Sequence, residues 1–192
     1  MYVGNVSVIV PKNKIPKTAV DSGTTLLIVN SAMYANIKNV FQSNYCDLPH
    51  ICTDANIFQY YASNSTVNKN CIDSQVVNPM SYIEIITFQI RPIFSKFPNI
   101  SIVLDGVALT LMPQDYMELT RSSSGYEYYC FGIFDGGAKS MTILGDTFMK
   151  AFYVVFDRDS TRVGFVGRPG TITGILFIAV FLICYSGSNY KQ

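Results

Sequence analysis

The chain opens on an alternating pattern. Tyr2-Val3-Gly4-Asn5-Val6-Ser7-Val8-Ile9-Val10 reads as a half-buried strand, Pro11-Lys12-Asn13-Lys14 as a turn, and residues 15–20 as a second strand. An apolar run then stops at Asp21-Ser22-Gly23-Thr24-Thr25 and resumes at Leu26-Leu27-Ile28-Val29. Ser31 is placed to cap a short helix over Ala32–Phe41. Residues 43–81 are polar and Asn-rich, and predict an irregular insertion held by cysteines. Regular alternation returns after Phe97. Ile100–Leu104 is a predicted strand, Asp105-Gly106 its hairpin turn and Val107–Met112 the return strand. Further strands are predicted at Tyr126–Phe134, Met141–Leu144, Phe152–Phe156 and Val163–Val166. Asp157-Arg158-Asp159-Ser160 turns the chain between the last two, and Asp135-Gly136-Gly137 also reads as a hairpin turn.

Composition agrees with this mostly β reading. Thirteen Tyr and thirteen Phe, with many Val and Ile, favour pleated surfaces over helices. With 192 residues, the chain suffices for one well-buried domain or large lobe. Hydrophobic residues make up 49% and charged residues 14%, which excludes a disordered chain. A net charge of +1 without a Lys/Arg cluster provides no field for a polyanion, so nucleic acid is not an expected partner.

The two ends differ from the body. The N-terminus has neither a basic region nor an apolar core of a secretory leader, although other features point to the secretory route; the expectation is that residues upstream of Met1 are missing. After Arg168 an uncharged window, residues 169–190, is centred on Gly174–Tyr185. As a helix it would reach about 33 Å, against a hydrocarbon core of roughly 30 Å. The leading expectation is a membrane anchor; a docked or disordered apolar tail and a cleaved lipid-anchor signal are the alternatives.

Cysteines stand at 46, 52, 71, 130 and 184. The first four suffice for two disulfides, and none has the spacing of a metal-ligand pair. His50 is the only histidine, so no metal site is expected and Ser-His-Asp chemistry is disfavoured; between Cys46 and Cys52 it reads as a loop residue. Glycosylation sequons occur at Asn5, Asn64 and Asn99. With the disulfides they favour an oxidising, glycosylating compartment, secretory, endomembrane or lysosome-like.

The candidate chemistry lies at Asp21-Ser22-Gly23-Thr24-Thr25. A carboxylate directly after an apolar strand is costly unless its charge has partners. Gly23 lets backbone N–H groups approach it, and the hydroxyls of Ser22, Thr24 and Thr25 offer short-range hydrogen bonds. Such a cluster suits a carboxylate held rigidly inside a cleft; the plain alternative is an Asx-type turn. An Asp-Ser/Thr-Gly triplet arises by chance in roughly one chain of this size in ten, so more is needed.

More is present: Phe97-Pro98-Asn99-Ile100-Ser101-Ile102, Ile143-Leu144-Gly145-Asp146 with Phe148, Phe152-Tyr153-Val154-Val155-Phe156-Asp157, and Arg162-Val163-Gly164-Phe165. In this order and spacing the chain resembles the C-terminal lobe of the pepsin-like aspartic peptidases, over about residues 2–167. The resemblance implies an all-β lobe over residues 1–168 with a few short helices, followed by the apolar tail. It implies that Asp21 is one of two catalytic aspartates, that Ser22 bonds across to the other lobe, and that Gly23 donates its N–H to the dyad. Thr24 would bond the outer carboxylate oxygen, Thr25 would line the cleft, and Ile143-Leu144-Gly145 would thread beside the loop. Cys71–Cys130 resembles the lobe's usual disulfide, leaving Cys46 to pair with Cys52 and Cys184 unpaired.

The implied activity is proteolysis of polypeptides by a carboxylate dyad that activates water, with an acidic working pH and no cofactor or metal. Only one Asp-Ser/Thr-Gly loop is present. The leading expectation is therefore half of a two-lobed endopeptidase, inactive without its N-terminal lobe. The alternatives are a non-catalytic binding or structural lobe, and a homodimeric peptidase of retroviral type in which a second copy supplies the partner aspartate.

Overall fold

A computed structural model describes residues 1–8, 17–53, 56–58, 71–73, 94–121, 125, 127–167 and 175–178. Its strands are β1 (Tyr2–Val3), β2 (Val6–Ser7), β3 (Thr18–Val20), β4 (Leu27–Val29), β5 (Cys71–Asp73), β6 (Ile100–Leu104), β7 (Val107–Leu111), β8 (Met117–Arg121), β9 (Glu127–Phe131), β10 (Ile133–Asp135), β11 (Thr142–Leu144), β12 (Phe152–Asp157), β13 (Arg162–Gly167) and β14 (Ile175–Ile178). Among the described residues three α-helices join them: α1 (Ser31–Asn44), α2 (Pro113–Tyr116) and α3 (Asp146–Met149). The fold is mostly β with few helices, as the composition predicts.

Among the described residues the strands form four sheets, in the orders β2-β1-β6-β7, β10-β4-β11-β3, β12-β13-β14 and β5-β9-β8. The second sheet builds the candidate site. There β11 lies between β3 and β4, parallel to β3 (Leu144 opposite Val20) and antiparallel to β4 (Leu144 opposite Leu27). The chain therefore leaves β3, crosses over the end of β11 through residues 21–26, and returns along its other side.

The core is aromatic and branched. Phe41 of α1, Phe58, Tyr116 and Phe131 meet edge to face, with centroids 5.1 Å apart for Phe58–Phe131 and 5.9 Å for Phe41–Phe131. Tyr116 is fully buried and spends its hydroxyl on the carbonyl oxygen of Pro98 at 2.6 Å. Behind the second sheet, Phe148, Phe152 and Phe165 pack together. Two disulfides tie the periphery, Cys46–Cys52 and the cross-strand pair Cys71–Cys130 of β5 and β9.

Several local expectations are corrected. The predicted strand 2–10 folds back on itself at Gly4-Asn5, where Gly4 takes φ +56°, and forms the β1–β2 hairpin. Residues 9–16, with the predicted turn at Pro11–Lys14, lie outside the described residues, as does most of the 43–81 insertion. The first helix begins at Ser31 and runs to Asn44; its cap is Asn30, whose side chain accepts the Met33 N–H at 2.9 Å. Ser31 is freed to donate to Asp135 Oδ1 at 2.7 Å. The predicted strand Tyr126–Phe134 divides at Gly132, because β9 pairs with β8 and β5 whereas β10 pairs with β4. Asp135-Gly136-Gly137 is not a hairpin turn: β10 runs parallel to β4, and the chain crosses from one side of β4 to the other before entering β11. Asp105-Gly106 is a hairpin turn, with both φ values positive (46° and 80°) between β6 and β7.

Only four residues of the apolar C-terminal window are described. They form β14 and pair antiparallel with β13, Phe177 opposite Gly164, in place of the expected helix. An apolar, β-branched segment satisfies its backbone equally well by joining a free sheet edge. Among the described residues no helix is long and apolar enough to cross a membrane.

Candidate active site

Asp21 follows β3 directly, where the sheet ends and the crossing loop begins. Its N–H donates to the carbonyl oxygen of Leu144 at 3.2 Å, so the loop's first residue is still tied to β11. The loop then wraps its own carboxylate. The Gly23 N–H donates to Oδ1 at 2.9 Å, and the Thr24 hydroxyl donates to Oδ2 at 2.6 Å. The Thr24 N–H also donates to the Asp21 carbonyl oxygen at 3.3 Å. With one donor on each carboxylate oxygen, the side chain has little rotational freedom.

The hydroxyl of Thr24, then the N–H of Gly23, hold the Asp21 carboxyl below the usual carboxylate range, opposed only slightly by burial. Asp21, Ser22, Gly23 and Thr25 are exposed and Thr24 is half-buried. The expected enclosure in a cleft is not met by this chain: it supplies the floor that orients the carboxylate, and nothing among its described residues covers the outer side. The Asx-type turn is present, since the Gly23 N–H donates to Oδ1 of the residue two positions before it, and the same loop is also anchored to β11.

The anchoring is extensive. The N–H of Asp146 donates to the Thr24 carbonyl oxygen at 2.8 Å, and the N–H of Thr147 to that of Thr25 at 2.8 Å. Gly145 passes directly beneath the loop; a Cβ there would overlap the carbonyl oxygens of Thr24 and Leu26, so no other residue fits without moving backbone. Ile143 and Leu144 hold both sides of β11, Ile143 opposite Ala19 and Ile28, with Leu144 fully buried. The structure thus brings Asp21, Gly23 and Thr24 together with Leu144 and Gly145.

Three supporting residues escape the sequence reading. The buried Thr147 hydroxyl lies 3.1 Å from the Thr25 carbonyl oxygen and 2.8 Å from Glu118 Oε1, which also accepts Lys150 Nζ at 2.6 Å. Gly132 sits under Thr147; its carbonyl oxygen accepts the Leu27 N–H at 3.0 Å and its own N–H donates to the Tyr116 carbonyl oxygen at 2.7 Å. A Cβ on Gly132 would stand 2.8 Å from Thr147 Cγ2. No local motif marks Glu118, since its partners lie elsewhere in the sequence. His50 adopts a positive φ of 57° in the loop closed by Cys46 and Cys52. Among the described residues, no group of three or more His, Cys, Asp or Glu converges to hold a metal.

Comparison with known proteins gives this architecture its relatives. Human cathepsin D is 40% identical over 76 residues, which is 37% of this chain and 18% of cathepsin D. Cathepsin E of Rattus norvegicus is 38% identical over 75 residues, 36% of this chain and 18% of that protein. Gastricsin of Mus musculus is 31% identical over 70 residues, again covering 36% and 18%. The aligned stretch thus spans less than a fifth of each relative. The family model described as eukaryotic aspartyl protease matches residues 2–167, from β1 to the end of β13 and through the whole crossing-loop sheet. This chain belongs to the eukaryotic aspartyl protease family.

Proposed function

We propose that this chain is the C-terminal lobe of an aspartic endopeptidase and that Asp21 is one of its two catalytic carboxylates. The observation that carries the reading is the clamp on Asp21: Gly23 and Thr24 fix both carboxylate oxygens on a loop itself bonded to β11 and α3, while the outer side stays open. A carboxylate so oriented is ready to face a twin. An N-terminal lobe with a second Asp-Thr/Ser-Gly loop supplies that twin, and the exposed Ser22 hydroxyl bonds across to it.

The chemistry follows from charge. By itself the Asp21 carboxyl is held below the usual carboxylate range by Thr24 and Gly23. A second carboxylate about 3 Å away opposes double ionisation, so the pair keeps one proton and titrates in two separated steps. The ionised member takes a proton from bound water, which attacks the scissile carbonyl carbon; the protonated member donates to the carbonyl oxygen. The amine leaves after protonation at nitrogen. The substrate is a polypeptide, with Thr25 at the cleft wall, and activity falls as rising pH removes the shared proton. The disulfides and the kinship with cathepsins D and E favour a secretory or lysosomal setting.

The test compares hydrolysis of an unfolded polypeptide by this chain alone and by a two-lobed protein carrying it as the C-terminal half. The expected result is acid-dependent cleavage only by the two-lobed protein. Asp21→Asn should lower it by about 10²–10⁴-fold, the usual worth of a positioned proton-transfer group. Full activity of the Asp21→Asn protein would overturn the assignment. Cleavage by the chain alone, rising with the square of its concentration, would replace the two-lobed reading with a symmetric dimer.

A further inference from the structure

The β1–β2 hairpin brings two distant sequons to one corner. In the sheet ordered β2-β1-β6-β7, Val6, Val3 and Ile100 form one row across three strands. One step beyond that row stand Asn5, Gly4 and Asn99, with the Gly4 N–H donating to the Asn99 carbonyl oxygen at 2.7 Å. Both asparagines are exposed, and neither side-chain amide is engaged in a hydrogen bond among the described residues. Strands lie about 4.8 Å apart, so β2 and β6, on either side of β1, place the two attachment points on the order of 10 Å from each other.

The neighbouring surface fits the same purpose. Tyr2 is opposite both sequon serines, Ser7 in β2 and Ser101 in β6. That face of the sheet continues with Val103 and Thr110 and bears no charge there, while Tyr2 is 41% and Val103 39% exposed. An uncharged, partly apolar face on an outer sheet normally needs a cover or charged residues to keep it from associating.

We infer that Asn5 and Asn99 form a paired N-glycosylation site, whose two glycans share this corner and cover the outer face of the sheet. At each asparagine the amide nitrogen Nδ2 bonds to the anomeric carbon of an oligosaccharide carried on a lipid pyrophosphate. Nδ2 loses a proton, the bond from the anomeric carbon to the phosphate oxygen breaks, and the lipid pyrophosphate leaves. The corner is consequently a solvent-facing surface in the assembled protein, not a lobe or subunit contact.

The experiment expresses the chain behind a cleavable leader in a eukaryotic secretory host, with Asn64→Gln to silence the third sequon. Peptide-N-glycosidase should increase its mobility by two glycan steps. Asn5→Gln and Asn99→Gln should each leave one step, and the double variant none. Digestion of the folded, disulfide-bonded chain should release both glycans. A single glycan per molecule, no glycan, or release only after denaturation would overturn the inference. Adding Asp21→Asn should leave both glycans in place, so this outcome stands or falls apart from the peptidase reading.

Discussion

The hydroxyl of Thr147 reaches the carbonyl oxygen of Thr25 at 3.1 Å although the two residues are 122 positions apart. The same hydroxyl, fully buried, lies 2.8 Å from Glu118 Oε1 and has one proton to share between the two acceptors. The loop that carries Asp21 is thereby braced from β8 as well as from β11. Thr147→Val keeps the shape and deletes the hydroxyl; it should cost about 0.5–1.5 kcal/mol in chemical denaturation. Lys150→Met removes only a half-exposed ion-pair partner of Glu118 and should cost less than about 1 kcal/mol. A larger loss from Lys150→Met than from Thr147→Val would show that the ion pair, not the buried hydroxyl, braces the loop.

Gly145→Ala should be the most damaging small substitution near the site. The added methyl meets two backbone carbonyl oxygens, Thr24 and Leu26, which have no rotamer to yield. Overpacking of this kind costs about 1–3 kcal/mol. The methyl also pushes on the loop that orients Asp21, so hydrolysis by the two-lobed protein should fall further than stability alone explains. Gly106→Ala offers the contrast: it meets nothing within 4 Å and is strained only by its φ of +80°. It should reduce stability while leaving hydrolysis at full rate.

The two disulfides differ in the chain they close. Cys71 and Cys130 are separated by 59 positions, Cys46 and Cys52 by 6. On loop-closure entropy alone, the longer loop confers about 2 kcal/mol more stability. Replacing Cys71 and Cys130 by Ser should therefore lower the unfolding free energy by about 2–5 kcal/mol, and replacing Cys46 and Cys52 by less. Equal losses would show that the chain-entropy difference does not govern here.

The clamp on Asp21 has a pH signature. Its carboxyl is lowered first by the Thr24 hydroxyl and then by the Gly23 N–H. A carboxyl lowered on folding contributes stability above its unfolded value, and that contribution disappears as pH falls through the folded value. Thr24→Val should raise the Asp21 value towards the ordinary range and shrink this acid-side loss, read from the Asp21 side-chain carbon shift against pH. A titration unmoved by Thr24→Val would remove the hydroxyl from the account.

Much of this was legible in the chain itself. Alternation and turn chemistry located β6, β7, β12 and β13 to within a residue or two, because hairpin strands are specified by neighbours close in sequence. The order Asp21-Ser22-Gly23, Ile143-Leu144-Gly145, Phe152–Asp157 and Arg162–Phe165 was sufficient to indicate the family. Errors fell where a residue's role depends on distant partners. Ser31 has the side chain of a cap, yet Asn30 takes that position and Asp135 claims the Ser31 hydroxyl. Tyr126–Phe134 reads as one aromatic-rich run interrupted in charge only by Glu127, yet it divides at Gly132 because the two halves join different sheets.

What the sequence alone determined is the chemistry available: one carboxylate, its hydroxyl and glycine neighbours, four pairable cysteines and a β-rich body. All of these are local properties of residue type and spacing. Tertiary structure alone decided that the loop after β3 passes over Gly145, that Thr147 and Glu118 brace it, and that Asn5 and Asn99 stand at one corner on either side of β1. Such contacts join residues far apart in the chain, and their geometry exists only after the sheets have closed and the core has set the distances.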